Sequence, residues 1–324
     1  MKYRRIAGID KPLSVLTYGT PGTATRRETR EEAFRSYDLA WEAGFRTFDT
    51  AHSYGLGEET LGAWLAFRHL RDEAVILDKG CNPGQGGSTD VFSAHTIREQ
   101  TEESLRRLKT DHVELYILHR DDPTVPPDEI IEELNRLHRE GKILRFGGSN
   151  WTLDRLLTAN AYAEKHDLEP FSAVSPAYSL AEYMHDPWGG SVALSGALQE
   201  PYRQWLRETG TPVFCYSSLG RGYLSGKFRT GGTVPIEDCI GKGSILEYDS
   251  PENRARLARA EKLAAEKGCA VSTVCLAWLL RQPMNLFPIV APSSREHIRE
   301  NTAALDLNLS EAECDWLLNG EASC

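Results

Sequence analysis

Residues 112–149 have the sequence HVELYILHRDDPTVPPDEIIEELNRLHREGKILRFGGS, in which an apolar run, an amphipathic stretch and a second apolar run follow one another. The near-continuous apolar run His112–His119 is typical of a strand that is buried on both faces. Pro126 can begin the helix that follows, and Gly141 can end it before a second strand at Ile143–Ser149. The inner face of this helix would consist of Ile130, Ile131, Leu134 and Leu137. The unit predicts two parallel strands joined by a helix.

The same alternation runs along the whole chain. The predicted strands are Val15–Gly19, Arg46–Ala51, Ala74–Lys79, His112–His119, Ile143–Ser149, Ala173–Ser175, Pro212–Ser217 and Leu286–Val290. About eight strand–helix units without an evident linker favour an α/β fold, a closed (β/α)8 TIM barrel that forms one domain over residues 1–324. The alternative is an open, doubly wound sheet, but the G-x-G-x-x-G fingerprint does not follow the first strand. The glycine-rich stretch 84–87 lacks the third glycine of that fingerprint, and we interpret it as a turn.

Two stretches are longer than ordinary connections. One lies near 182–195 and contains Trp188-Gly189-Gly190, and the other lies near 221–248 and is rich in Gly and Ser. Both follow predicted strands, so we expect them at the C-terminal mouth of the barrel, where long loops often act as lids. A tail helix is predicted near 311–319, because Ser310 and Glu313 have the spacing of a capping box.

Composition narrows the range of partners and locations. The 324 residues include 37 Lys and Arg against 47 Asp and Glu, and the formal net charge is −10. This balance argues against nucleic acid and against an anionic membrane surface as partners. No apolar run approaches the roughly 18 residues of a transmembrane helix, and we recognise no signal peptide. Seven scattered cysteines without a C-x-x-C pair favour a reduced, cytoplasmic location and argue against a metal site. The sequence does not indicate an oligomeric state.

Three successive predicted strands end in a titratable residue. Asp49 follows the second strand, Lys79 the third and His119 the fourth, while Tyr54 lies on the loop after Asp49. Each residue alone has a structural explanation, as a helix cap, a solvated strand end or a hydrogen-bonded rim residue. Because barrel enzymes collect catalytic groups at the carboxyl ends of their strands, the joint occurrence favours a shared site.

The chemistry of this group is that of a polarised carbonyl with a proton donor beside it. A phenol has a pKa of about 10, and a nearby ammonium such as Lys79 lowers that pKa. Asp49 would pair with and orient Lys79, and His119 could donate a hydrogen bond to a substrate oxygen. The sequence contains no Ser-His or Cys-His nucleophile motif to attack the carbonyl carbon. A hydride from a nicotinamide would meet that need.

Several motifs resemble those of a known family. Residues 44–55, GFRTFDTAHSYG, resemble the first signature of the aldo-keto reductases. The resemblance continues through residues 57–62, 118–120, 141–150, 216–222, 226–228 and 293–301, and so covers nearly the whole chain in order. It implies an NAD(P)H-dependent carbonyl reductase on a (β/α)8 barrel, with a small-molecule aldehyde or ketone as substrate. By position, Tyr54 would be the proton donor, and Asp49, Lys79 and His119 would support it.

The resemblance also implies a cofactor site. Ser149 and Asn150 match the pair that holds the nicotinamide carboxamide, and Tyr216 matches the aromatic residue that stacks on the nicotinamide. The remaining matched positions are Gly19, Thr20 and Asp49 near the first strand ends, Ser217, Leu219, Gly220 and Arg221 in the pyrophosphate loop, Lys227 at a phosphate, and Ser293, His297, Glu300 and Asn301 at the adenosine end. Some of these positions have ordinary structural explanations as well. Tyr216 could be a rim residue, Lys227 a loop charge, and Ser293 with Glu296 a helix cap that leaves His297 exposed.

The chain departs from the family pattern at two places. Pro176 stands where the family often has a Gln that contacts the carboxamide, and proline has no side-chain donor. Ser293-Ser294-Arg295 contains only one basic residue for a 2′-phosphate. We expect NADP(H), because Ser293 begins a predicted helix whose N-terminus could hold a 2′-phosphate. NAD(H) stays open as the alternative, because only one residue of this stretch is basic.

Two other functions are compatible with these residues. Lys79 at a strand end, with a phenol and a carboxylate nearby, also fits a Schiff-base aldolase, although the phosphate-loop pattern argues against it. The chain could also be a non-catalytic, NADP(H)-binding regulatory subunit. The sequence does not identify the substrate, so sugar-like, steroid and simple aldehyde substrates all stay open.

Overall fold

The computed structural model describes residues 1–20, 22–83, 92–186 and 188–320, so the turn expected at 84–87 lies outside the described residues. The strands are β1 (Tyr3–Ile6), β2 (Ile9–Ser14), β3 (Thr17–Gly19), β4 (Thr47–Asp49), β5 (Val75–Gly80), β6 (Val113–Leu118), β7 (Ile143–Ser149), β8 (Ala173–Ser175) and β9 (Ile289–Val290). The helices are α1 (Arg30–Glu42), α2 (Gly57–Arg68), α3 (Ala94–Leu108), α4 (Pro127–Arg139), α5 (Leu153–Lys165), α6 (Glu200–Thr209), α7 (Ile236–Cys239), α8 (Lys242–Tyr248), α9 (Pro251–Lys267), α10 (Val271–Leu280), α11 (Arg295–Ala303) and α12 (Glu311–Asn319).

The main sheet is a curled parallel sheet that closes on itself. Its strands have the order β8-β7-β6-β5-β4-β3-β9, and the segment expected as the strand Pro212–Ser217 lies between β8 and β9. This segment pairs only through isolated bridges, of which Val213 makes two, to Val174 and to Leu286. The ring is thereby complete, so the predicted (β/α)8 barrel is confirmed and the doubly wound sheet is wrong.

Strand alternation decides which side chains enter the barrel. On β5, Val75 and Leu77 belong to the inner apolar cluster, whereas Ile76 packs outward against the helices. Because successive side chains point to opposite faces, Lys79 follows Val75 and Leu77 into the barrel. On β4, Phe48 packs outward and places Asp49 on the inner side. Two neighbouring strands therefore deliver an amine and a carboxylate to the same end of the barrel.

An N-terminal hairpin, which was not predicted from the sequence, closes the opposite end. Strands β1 and β2 pair antiparallel, and Ile6, Ile9 and Leu13 pack into the inner cluster beside Leu77 and Leu115. Short, charged strands such as these carry a weak hydrophobic pattern, which explains why they were missed. The hairpin leaves the C-terminal mouth as the open end of the barrel.

The remaining connections differ in part from the expectations. The stretch near 221–248 contains α7 and α8, so it is not one continuous loop. Helix α12 begins with the capping box of Ser310 and Glu313. In the described part of the chain, no single helix is long and apolar enough to cross a membrane; only α9 and α10, taken together with a bend of 103°, meet that criterion by length and composition.

Candidate active site

The structure brings Asp49, Tyr54, Lys79 and His119 together at the C-terminal mouth, in a cavity of about 550 Å³. The Lys79 ammonium forms a buried ion pair with Asp49 and donates a hydrogen bond of 2.8 Å to the carbonyl oxygen of Thr50. Its Nζ lies 5.2 Å from the centre of the Tyr54 ring. The rings of Tyr54 and His119 meet edge to face, with their centres 5.7 Å apart. The four side chains thus form one contiguous polar group.

The electrostatics of this group differ in one respect from the expectation. Desolvation raises the pKa of Tyr54, and the nearby Lys79 ammonium opposes that effect without overcoming it. The phenol is therefore protonated at neutral pH. Burial alone would lower the pKa of Lys79, but the negative charge of Asp49 and the phenol of Tyr54 outweigh it, and the pKa rises. Lys79 is therefore a cation at neutral pH in this site.

His119 is held as a neutral imidazole. Burial, followed by the positive charges of Lys79 and Arg120, lowers its pKa well below the ordinary value. Its Nδ1 lies 3.4 Å from Oγ of Ser53, which itself accepts a long hydrogen bond of 3.4 Å from Asn82. If the Ser53 hydroxyl donates to Nδ1, the ring proton resides on Nε2, where it is available as a donor.

The residues matched to the nicotinamide amide form a saturated hydrogen-bond network. Asn150, at the end of β7 with a left-handed φ of 62°, donates from Nδ2 to the His119 carbonyl oxygen at 3.1 Å and to Ser149 Oγ at 3.0 Å. Its Oδ1 accepts from the Tyr216 hydroxyl at 2.7 Å and from the Val192 N–H at 3.1 Å. Ser149 Oγ in turn donates to the carbonyl oxygen of Ser175 at 2.7 Å. All hydrogen-bonding positions of the Asn150 amide are used.

A second cavity, of about 410 Å³, adjoins the first. It contains most of the residues expected to hold the phosphates and adenosine, and Ser217 and Arg221 line both cavities. The members expected from the sequence are Ser217, Leu219, Arg221, Lys227, Ser293, His297, Glu300 and Asn301. Three expected residues line neither cavity: Gly19 and Thr20, whose strand end contacts Asp49, and Gly220, which is buried within its loop. Pro176 offers its backbone carbonyl to the Tyr216 N–H at 3.1 Å.

The adenosine end corrects the expected helix cap. Ser294, not Ser293, is the N-cap of α11, and its Oγ accepts the His297 N–H at 3.1 Å. Ser293 is left free to contact His297 Nδ1, also at 3.1 Å. Arg295 reaches away from the cavity to Glu42, at 3.3 Å. The arginine and lysine side chains that line the second cavity, among the described residues, are therefore Arg221 and Lys227.

Several residues of the first cavity were not predicted from the sequence. Ser53, Asn82, Arg120 and Trp188 line it beside the four expected side chains. Arg120 carried a usable signal, because it directly follows His119 at the end of β6. Trp188 was noted only as a loop aromatic residue, since a sequence does not show how a long loop folds over a mouth.

Comparisons with known proteins agree with this architecture. The family model described as "Aldo/keto reductase family" matches residues 15–317. An uncharacterized oxidoreductase, YrpG of Bacillus subtilis (strain 168), is 31% identical, and the match covers 96% of this chain and 93% of that protein. Norsolorinic acid reductase B of Dothistroma septosporum is 28% identical over 94% of this chain and 76% of that protein.

A solved structure supports the fold. The crystal structure of a thermostable aldo-keto reductase, Tm1743, in complex with the inhibitor epalrestat has a TM-score of 0.74 to this protein. It is 23% identical, and the match covers 99% of this chain and 100% of that one. Since both the family model and the Bacillus relative span nearly the entire sequence, the chain belongs to the aldo/keto reductase family, whose members are oxidoreductases that act on carbonyl compounds.

Proposed function

We propose that the protein reduces an aldehyde or ketone to an alcohol with NAD(P)H, and that Tyr54 donates the proton to the carbonyl oxygen. The observation that carries this proposal is that two cavities adjoin each other. Ser217 and Arg221 line both the cavity with Tyr54, Lys79 and His119 and the cavity with Lys227 and the start of α11. An extended molecule with a reactive end and an anionic middle fits this arrangement.

The loop between the cavities has the donors that a pyrophosphate requires. Ser217 and Arg221 have left-handed φ angles of 53° and 50°. Within the described residues, the backbone N–H groups of Ser217, Ser218 and Leu219 donate to no protein acceptor. Backbone concavities with unpaired N–H groups bind anions. Lys227, which pairs with no carboxylate among the described residues, adds positive charge, and Arg221 lies beside it in an ion pair with Glu247. The residues present therefore fit a dinucleotide.

Proton transfer depends on the state of three side chains. When bound, the reduced nicotinamide supplies a hydride to the carbonyl carbon. Tyr54, protonated at neutral pH, delivers its proton to the carbonyl oxygen, and neutral His119 donates a hydrogen bond to that same oxygen. The Lys79 ammonium stabilises the phenolate that Tyr54 becomes, and Asp49 keeps Lys79 in place. Solvent then restores the proton to Tyr54.

The charge of Lys79 counts against a Schiff-base aldolase. Such an enzyme needs an unprotonated amine as nucleophile, usually obtained by lowering the lysine pKa. In this protein Asp49 keeps the Lys79 pKa high. For the cofactor we favour NADP(H), because Lys227 lines the second cavity and pairs with no carboxylate in the described part of the chain. NAD(H) stays open, since Arg295 is directed to Glu42 instead.

The Tyr54→Phe variant tests the proposal. We expect it to bind NADPH with an affinity close to that of the parent and to reduce 4-nitrobenzaldehyde about 10²- to 10⁴-fold more slowly. Loss of NADPH and NADH absorbance would be followed in parallel, and binding would be measured by fluorescence titration. Tyr162→Phe is the matched control, because that phenol lies on α5 and bonds Glu132. Comparable rates in the parent and Tyr54→Phe would exclude Tyr54 as the acid, and cofactor binding without turnover of any carbonyl would favour a regulatory subunit.

A further inference from the structure

Charges around the active-site cavity do not balance. The Asp49 carboxylate pairs with Lys79, and the Asp121 carboxylate pairs with Arg155 at 3.1 Å. Arg221 pairs with Glu247. Among the described residues, Arg120 is the cation lining this cavity that has no carboxylate within 4 Å. The cavity thus has a surplus positive charge, although the chain as a whole has a net charge of −10.

Asp186, in the stretch near 182–195, interacts with the charge of Arg120, but its carboxylate is already engaged in hydrogen bonds. The Asp186 carboxylate accepts the backbone N–H of Trp188 at 3.1 Å and that of Ser191 at 2.6 Å. Arg120 itself uses one N–H, which donates to Oγ of Ser191 at 2.9 Å. A guanidinium has five donors, and no further hydrogen bond from Arg120 is made within the described residues. Its planar fork therefore keeps donors available for a ligand.

Because of its location, Arg120 can donate these hydrogen bonds to the substrate and not to the dinucleotide. Arg120 lines the first cavity only, whereas Arg221 lines both. It directly follows His119 in the chain, and its charge is felt at both Tyr54 and His119. Its guanidinium carbon lies 5.7 Å from the centre of the Trp188 ring, and that of Arg221 lies 4.9 Å from the same ring. An apolar wall thus adjoins the free cation.

We propose that Arg120 is a specificity-determining residue that binds an anionic group of the substrate. The enzyme would then prefer carbonyl compounds bearing a carboxylate. This inference rests on the proposed function. The carbonyl lies at Tyr54 and His119, the body of the molecule contacts Trp188, and the carboxylate receives hydrogen bonds from the Arg120 fork. Arginine suits this role because its fork matches a carboxylate in a bidentate manner.

Two matched pairs of aldehydes test this inference: 4-carboxybenzaldehyde against 4-methylbenzaldehyde, and succinic semialdehyde against butanal. The readout is the ratio of kcat/KM between the charged and the neutral member. We expect the parent to prefer the charged member, and Arg120→Gln to lower the ratio by about 10- to 100-fold, mainly through KM. Arg120→Lys should recover part of the ratio, because it restores the charge without the fork. Arg5→Gln, at the opposite end of the barrel, removes the same charge and should leave both the ratio and the basal activity unchanged.

The outcomes separate this inference from the proposed function. The role of Arg120 is overturned if the parent reduces the neutral aldehydes and shows no preference for the charged ones. It is also overturned if the ratio is unchanged in Arg120→Gln. In both cases the proposed reductase activity is unaffected. An equal fall of the ratio in Arg5→Gln overturns it as well, because the effect would then come from total charge. Absence of turnover with all four aldehydes and both coenzymes contradicts the proposed function itself.

Discussion

The hydroxyl of Tyr216 donates a hydrogen bond of 2.7 Å to Oδ1 of Asn150. The same oxygen accepts a hydrogen bond from the N–H of Val192, which belongs to the mouth loop near 182–195. Both partners occupy the positions at which a carboxamide would pair with Asn150. Under the proposed function, a nicotinamide amide that binds to Asn150 would replace at least one of them. We therefore propose that cofactor binding and the position of the loop are coupled through Asn150.

Tyr216→Phe tests this coupling. The variant keeps the aromatic ring and removes one competitor for Asn150 Oδ1, and a hydrogen bond of this kind contributes about 1 kcal/mol. We therefore expect the affinity for NADPH to stay equal or to rise by up to about fivefold, measured by fluorescence titration. Asn150→Ala, which removes the amide itself, should bind NADPH more weakly than the parent. A tenfold loss of affinity in Tyr216→Phe would show that the hydroxyl supports the cofactor directly.

The pH dependence of kcat/KM should report the unusual charge states of Tyr54 and His119 in the free enzyme. Burial, together with Lys79 and Arg120, holds the pKa of His119 well below its ordinary value, so the imidazole stays neutral near pH 6.5. Desolvation raises the pKa of Tyr54 above 10, and activity should fall only as the phenol loses its proton at higher pH.

We accordingly expect a flat kcat/KM profile from about pH 6 to about pH 9, with a fall on the basic side. Initial rates in constant-ionic-strength buffers would measure it. A fall of kcat/KM below about pH 6.5 that occurs in the parent and is absent in His119→Gln would contradict a neutral His119. His166→Gln, which changes a ring stacked on Tyr162 outside the cavity, is the control.

The sequence predicts the site residues at strand ends better than those in loops. Asp49, Lys79 and His119 were predictable, because strand ends in a parallel barrel converge at one mouth whatever the loops do. The loop residues behaved differently. The position of Trp188 over the cavity depends on how the stretch near 182–195 packs. That packing involves tertiary contacts, such as the hydrogen bond from Arg120 to Ser191 and the one from the Val192 N–H to Asn150.

Two further predictions, the N-cap of α11 and the direction of the Tyr54 pKa shift, were wrong because each left out a competing effect. Ser293 has good N-cap spacing, but Ser294 takes the cap and shifts the start of α11 by one residue. The expected lowering of the Tyr54 pKa considered only the charge of Lys79, whereas burial dominates. Desolvation depends on everything that surrounds a group, so a list of neighbouring charges does not predict it.

The ion pair of Lys79 and Asp49 should be important for stability as well as for chemistry. Lys79→Met leaves the Asp49 carboxylate buried without its cation, which costs about 3–5 kcal/mol of the free energy of unfolding. Asp49→Asn combined with Lys79→Met should recover much of that loss, because neither charge is then left alone. Urea unfolding of the parent, Lys79→Met and the double variant measures the effect. A double variant less stable than Lys79→Met would contradict this account.

Glu114, near the amino end of β6, should control stability in acid. Its carboxylate accepts hydrogen bonds from Lys11 at 2.7 Å, from Arg71 at 2.9 Å and from the Ile76 N–H at 2.8 Å. Burial alone would raise its pKa, but the hydrogen bond with His112 and the charges of Arg71 and Lys11 outweigh burial and lower the pKa to about 2.

Since the folded pKa lies below the ordinary value of 4.5, the contribution of Glu114 is fully present above that pH and is lost as the pH falls towards 2. We expect Glu114→Gln to lower the free energy of unfolding by about 3 kcal/mol at about pH 7, and the difference from the parent to shrink at about pH 3. Urea unfolding at the two pH values measures both, with Glu266→Gln as the control, because Glu266 is exposed on α9. A difference that stays constant with pH would mean that Glu114 contributes through packing alone, since only an ionised carboxylate loses its contacts on protonation.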